Sequence, residues 1–127
     1  MTNYAIIGAS NHKEKFGYKV CLSLSELDEV FTPINPNEKE VLGQKVYSSL
    51  TQAISNEVII DRAIFIVPPV VGMKILEEIK ELNDAGEFIS VWFQPGSVNK
   101  ELIDFCKEHN IDFITGKCIM VEKGNVK

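Results

Sequence analysis

The sequence predicts a doubly wound α/β fold: a parallel sheet of five to six strands between two helical layers, three layers in all. Short apolar runs alternate with longer stretches whose apolar residues recur at helical spacing, the pattern of repeated strand–helix units. Two of the runs, Tyr4 to Ile7 and Ala63 to Val67, are the form of strands covered on both faces. The segments that follow the strands are rich in Gly, Pro, Ser, Asn or Gln, and these residues turn the chain. A length of 127 residues, 45 % hydrophobic and 24 % charged, suits one domain over residues 1–127 with one core.

Tyr4-Ala5-Ile6-Ile7-Gly8 is the first strand, closed by glycine. Gly17 to Leu27 is a helix, because Val20, Leu24 and Leu27 share a face with Cys21 beside them, while Lys19, Ser23, Ser25 and Glu26 face outward. Val30 to Ile34 is the second strand, stopped by Asn35-Pro36-Asn37. From Glu38 to Leu50 the pattern is mixed. Lys45-Val46-Tyr47 makes a short edge strand at most, and Thr51 to Ile54 a helical turn. Ala63 to Val67 is a fully apolar strand that ends at Pro68-Pro69. Val71, Ile75, Ile79 and Leu82 predict the inward face of the next helix. Lys74, Glu77, Glu78, Lys80 and Glu81 form its solvated side, and Gly86 is its left-handed terminator. Phe88 to Phe93 follows as a strand. Asn99 caps a helix through Glu108 that carries Leu102, Ile103 and Cys106 inward, with Asn110 at its end. Ile111 to Ile114 is the last strand. Right-handed crossovers then give the order 3-2-1-4-5, with room for a sixth strand.

A formal net charge of −5 argues against a general nucleic-acid surface, which needs a basic face. No apolar run approaches the roughly 18–20 residues that span a bilayer, so no membrane partner is expected. Met1-Thr2-Asn3-Tyr4 has neither a basic region nor a cleavage site, so secretion is not expected. Cys21, Cys106 and Cys118 are odd in number and widely spaced, which fits neither a disulfide framework nor a CxxC site. Cys21 and Cys106 belong to apolar helix faces, and a reducing cytoplasm fits this usage. His12 and His109 fall on a loop and at a helix end, without a carboxylate motif or metal-ligand spacing, and are read as surface residues. No catalytic constellation and no metal site are expected.

In doubly wound sheets ligands bind beyond the carboxyl ends of the strands. That rule selects Gly8-Ala9-Ser10, Asn35-Pro36, Val67-Pro68-Pro69, Gln94-Pro95-Gly96 and Gly116-Lys117-Cys118. Gly8 lets the backbone turn close to a ligand, Ser10 supplies a hydroxyl, and a helix starting near Gly17 aims free N–H groups at a phosphate. The plainer alternative is that Gly8 and Gly17 bracket a tight turn. Lys13 and Lys15 are either phosphate-neutralising cations or solvated lysines. The dinucleotide fingerprint GxGxxG is missing, since the next glycine waits until Gly17. Asn35 also stands where an NAD-binding chain places Asp or Glu. Both departures count against NAD and leave another phosphate-bearing nucleotide as the expected small-molecule ligand.

Gly8-Ala9-Ser10 is followed by Lys15-Phe16-Gly17-Tyr18, then by Pro33-Ile34-Asn35-Pro36-Asn37 and the segment from Val41 to Leu50. Phe93-Gln94-Pro95-Gly96 and Gly116-Lys117-Cys118-Ile119 complete the set. In this order, over nearly the whole chain, it resembles the small stand-alone CoA-binding proteins often called YccU-like. These are similar to the N-terminal domain of the succinyl-CoA synthetase α subunit. The resemblance implies a Rossmann-type domain that holds coenzyme A, or an acyl-CoA, across its strand tips. It sets Gly8, Ala9 and Ser10 against the diphosphate and pantetheine, with Lys15, Phe16 and Gly17 closing over the phosphates. Asn35 and Pro36 border the adenosine, and Lys39 approaches its phosphates. Val67, Pro68 and Pro69 flank the pantetheine, and Gln94, Pro95 and Gly96 complete the far side.

The chain departs from the family pattern at two places. Pro68-Pro69-Val70 replaces a more open polar loop. Lys117 stands where Arg is commoner, keeping the charge without the planar fork that grips phosphate twice. Cys118 is a partly buried structural thiol or, alternatively, lies near the CoA thiol and forms a mixed disulfide with it. In the related ligases the phosphorylated histidine belongs to a further domain, which is not expected in a chain of this length. CoA binding without catalysis is therefore the leading expectation. The alternatives are an NAD-type or other nucleotide-binding domain, and a CoA-dependent ligase subunit completed by a partner chain. A homodimer or another protein partner is left open.

Overall fold

The computed structural model describes residues 2–123. Five strands form one parallel sheet: β1 (Tyr4–Ile7), β2 (Phe31–Ile34), β5 (Arg62–Phe65), β6 (Ser90–Phe93) and β7 (Phe113–Ile114), in the order β2-β1-β5-β6-β7. A small antiparallel hairpin, β3 (Glu40–Val41) and β4 (Gln44–Lys45), stands apart from it. Directly after the hairpin, Tyr47 makes a single parallel bridge to Ile34 on the outer flank of β2. This is the expected third strand cut down to one residue, so the order expected from sequence holds, with β7 as the sixth. Proline explains the truncation. Pro33 accepts from the Tyr47 N–H at 3.1 Å, so its own nitrogen, which carries no hydrogen, faces the same outer side. A longer ladder there would lack a donor.

Neighbouring residues of each strand serve opposite faces. Ala5 and Ile7 of β1 join Phe65, Phe93, Leu76, Ile79, Leu102 and Cys106 in the larger core. It lies under α2 (Leu50–Ser55), α3 (Pro69–Asp84) and α4 (Lys100–Glu108). Tyr4 and Ile6 turn the other way, toward Val20, Cys21 and Leu24 of α1 (Phe16–Glu26) and Ile119 of α5 (Ile119–Glu122). Phe65 and Phe93 meet edge to face at 5.2 Å between ring centres, a favoured aromatic geometry. Local punctuation follows expectation. Gly86 and Asn110 adopt φ of +112° and +57°, and the Asn99 side chain accepts from the Leu102 N–H at 3.0 Å.

Two expectations need correction, and one element was not expected. The buried stripe of α3 is Gly72, Leu76 and Ile79, one residue round from Val71 and Ile75. Gly72 lies on that stripe, where a Cβ would make ordinary contact with Phe65 at 3.4 Å and Leu102 at 3.5 Å, so the helix packs closely against β5 and α4. Phe88 lies outside β6 and is 90 % exposed. The turn α5 was not foreseen; it is tied down by the Lys123 ammonium, 3.0 Å from Glu29. Among the described residues no helix is long and apolar enough to cross a membrane.

Candidate functional site

The site is set by how closely two backbone segments approach at the carboxyl end of β1. Gly8 has φ of +99°, and a Cβ on it would fall 2.6 Å from the Ile66 carbonyl oxygen. A Cβ on Gly17 would fall 2.0 Å from the Gly8 carbonyl oxygen. The first turn of α1 therefore rests directly on the β1 turn. Lys15, the residue before that turn, is extended and offers no side-chain cap. Of the first-turn amides, the Tyr18 N–H bonds to the Lys15 carbonyl at 3.1 Å, while those of Phe16 and Gly17 have no acceptor among the described residues and carry partial positive charge at this edge.

Side chains then lock the first two loops together. The Asn35 amide donates to the Ala9 carbonyl at 2.7 Å, and its oxygen accepts from the Asn37 N–H at 2.8 Å. Asn11 donates through its backbone to Glu38 at 2.8 Å and through its side chain to the Glu40 carbonyl at 2.6 Å. The buried Ser10 hydroxyl accepts from the His12 N–H at 3.0 Å and holds the turn.

Three cavities adjoin along this edge. A polar cleft of about 710 Å³ runs between the β1 and β2 loops, lined by Gly8, Ser10, Lys15, Phe16, Gly17 and Asn35, with Glu14 and Glu38 at its rim. An apolar cavity of about 380 Å³ lies on the α2–α3 side, walled by Ile7, Ile34, Leu50, Val71 and Ile75 and reached by Pro36 and Glu78. Gly8, Asn35, Asn37 and Val67 belong to both, so the two spaces lie side by side across these residues. A shallower space of about 290 Å³ follows, between Val67, Pro68 and Pro69 and the Pro95-Gly96 turn. Val67 borders all three.

The remaining sequence-selected residues, Ala9, Lys39, Gln94, Lys117 and Cys118, do not line these three spaces. Ala9 is fully buried, and only its carbonyl takes part, held by Asn35. Lys39 is exposed, and its carbonyl accepts from Val46 at 2.9 Å. Gln94 is buried and committed: its oxygen accepts from the Ile119 N–H at 2.7 Å, and its nitrogen lies 3.4 Å from the Cys118 sulfur. The Lys117 carbonyl accepts from the Trp92 indole at 2.9 Å, and its ammonium is 3.7 Å from Glu122. Sequence reasoning missed Val71, Ile75 and Glu78 as cavity walls. Their i, i+4, i+7 spacing was visible, but the facing surface of α2 was not.

The three thiols separate by burial. Burial pushes the Cys21 thiol up to about 12 and Cys106 up to about 11, whereas Cys118 is half-buried. Thiolate is the reactive form. Iodoacetamide at pH 8 is therefore expected to alkylate Cys118 in the folded protein and the other two only after unfolding. Peptide mass spectrometry showing Cys21 or Cys106 modified as fast as Cys118 would contradict this packing.

A family model described as a CoA binding domain matches residues 2–124. The chain is 33 % identical over 119 residues to the ADP-forming acetate–CoA ligase of Methanocaldococcus jannaschii, covering 91 % of this chain but 16 % of that ligase's length. It is 30 % identical over 125 residues to the uncharacterised protein YneT of Bacillus subtilis, covering 92 % of this chain and 82 % of YneT. A conserved hypothetical protein from Pyrococcus furiosus superposes with a TM-score of 0.82 at 34 % identity, covering 96 % of this chain and 99 % of that one.

Proposed function

Because this chain belongs to the CoA binding domain family, we propose that its carboxyl edge holds coenzyme A or an acyl-CoA. The proposal treats residues 1–127 as one cytoplasmic binding domain without catalysis of its own. One observation carries it: a polar cleft at an uncapped helix start adjoins an apolar cavity across Gly8, Asn35, Asn37 and Val67. A ligand with an anionic middle and a flat apolar end matches that pairing. The diphosphate meets the first-turn amides of α1 beside Lys15, and the adenine enters the apolar cavity. The pantetheine runs along Val67, Pro68 and Pro69 toward Pro95 and Gly96. On this proposal Ala9, Lys39, Gln94, Lys117 and Cys118 act by supporting or bordering the ligand path.

NAD fits less well. A dinucleotide site offers a carboxylate to the ribose hydroxyls at the end of the second strand. Asn35 stands there, and both ends of its amide are spent on Ala9 and Asn37. Calorimetric titration with CoA, acetyl-CoA, ATP and NAD tests the assignment. CoA and acetyl-CoA are expected to bind with similar affinity and NAD far more weakly. CoA at about 100 times its dissociation constant should stabilise the fold by about 2.7 kcal/mol. No binding of CoA at millimolar concentration would overturn the proposal.

The similarity to a CoA ligase favours a second arrangement, in which a partner chain supplies the catalytic groups. Incubation of the purified chain with acetyl-CoA, ADP and phosphate separates the two. Turnover by this chain alone removes the non-catalytic reading; turnover that appears only with an added partner chain supports the ligase component.

A further inference from the structure

The apolar cavity has one ionisable wall. Glu78 borders the cavity with Val71 and Ile75, three positions beyond Ile75 on α3 and beside its buried stripe. One carboxylate oxygen, Oε2, accepts from the Thr51 backbone N–H at 2.9 Å and from the Thr51 hydroxyl at 2.6 Å. Those bonds join α3 to the first turn of α2. The other oxygen, Oε1, has no donor among the described residues. The neighbouring polar walls are already engaged. Ser48 donates to Gln52 from its backbone at 2.6 Å and from its hydroxyl at 3.0 Å, and Ser49 accepts from the Gln52 N–H at 3.0 Å. Both ends of the Asn35 amide are used, as described above, and Asn37 stands at the exposed mouth. Glu78 thus brings to an apolar slot a carboxylate fixed at one oxygen and unbonded at the other.

On the reading that this cavity takes the base of a nucleotide coenzyme, we infer that Glu78 selects a 6-amino purine over a 6-keto purine. The exocyclic amine of adenine donates to Oε1. The keto oxygen of hypoxanthine turns lone pairs toward the carboxylate and leaves it unpaired. A site built around a hydrogen-bonding group rejects a ligand lacking the complement far more strongly than an apolar wall does. Because Thr51 holds Oε2, the carboxylate is fixed before the ligand arrives, and little ordering remains to be done on binding.

Glu78 also caps α2, so the test must read base preference and not binding strength alone. The wild-type chain, Glu78→Gln and Thr51→Ala are each titrated with CoA and with its deaminated, hypoxanthine-bearing analogue. Wild type is expected to bind CoA at least tenfold more tightly, as a hydrogen bond to a charged group implies. In Glu78→Gln the amide oxygen keeps the Thr51 bonds and the NH₂ group faces the cavity, so the preference reverses toward the hypoxanthine analogue. Thr51→Ala loses stability but keeps the carboxylate and the preference for CoA. Equal wild-type affinity for both ligands overturns the role of Glu78 while leaving coenzyme binding intact. So does an unchanged ratio in Glu78→Gln. Failure of wild type to bind either ligand overturns the coenzyme assignment itself, and this inference with it.

Discussion

Gly17→Ala is expected to lower stability by about 2 kcal/mol and to remove measurable CoA binding. Two effects oppose each other. Alanine in place of glycine favours a helix by up to about 1 kcal/mol. Against that, the new methyl would lie 2.0 Å from the Gly8 carbonyl oxygen, well inside contact distance. The obstacle is backbone, and it cannot retreat. The Gly8 N–H is bonded to the Ile34 carbonyl at 3.1 Å, and the Gly8 Cα side faces the Ile66 carbonyl. Forced overpacking costs roughly 1–3 kcal/mol, and this contact belongs at the upper end. Relief comes only by lifting the start of α1, which disturbs Val20, Cys21 and Leu24 in the core. The same movement withdraws the first-turn amides from the cleft. Gly72→Ala is the control, since its methyl would meet Phe65 at 3.4 Å and Leu102 at 3.5 Å. That variant should unfold near the wild-type temperature and bind normally. Thermal unfolding and titration of both variants decide the matter. Wild-type behaviour of Gly17→Ala would mean the helix and the β1 turn do not touch as described.

Features encoded in short stretches were legible from the sequence. The strands announce themselves as apolar runs, and Gly86, Asn99 and Asn110 mark helix ends through their own side-chain and backbone chemistry. Gly8, Gly17 and Asn35 could be selected because they follow strands in an α/β alternation. What escaped depended on distant partners. The face of α3 was misplaced because Gly72 carries no hydropathy, so its place on the buried stripe left no mark in the pattern. Pro33 limits the edge strand only because its nitrogen faces outward, which register decides. Gln94 and Ile119 are 25 positions apart, and Glu78 and Thr51 are 27 apart. No local pattern reports such pairs. Glu78 therefore looked like any other member of an acidic helix face.

Asn35→Asp should raise the dissociation constant for CoA by more than about a hundredfold, through two separable effects. The first is structural. The Asn35 amide is the donor to the Ala9 carbonyl, and an ionised carboxylate cannot replace it. Leaving a partly buried acceptor unpaired costs about 1–3 kcal/mol and loosens the β1 loop from the β2 loop. The second is electrostatic. Asn35 borders both the polar cleft and the apolar cavity, so the new charge sits where the proposed diphosphate must pass. At about 6 Å and an effective dielectric constant near 20, one pair of like charges repels by about 3 kcal/mol. Each 1.4 kcal/mol is about tenfold in affinity, so this term alone reaches about a hundredfold. Asn35→Ala carries the structural loss without the charge. Salt distinguishes the two, because the screening length falls from about 10 Å at 0.1 M to about 3 Å at 1 M. The gap between the two variants should narrow as salt rises, while the smaller defect of Asn35→Ala persists. If both variants bind CoA equally at low salt, the phosphates do not lie against Asn35 and the ligand takes another path over the sheet edge.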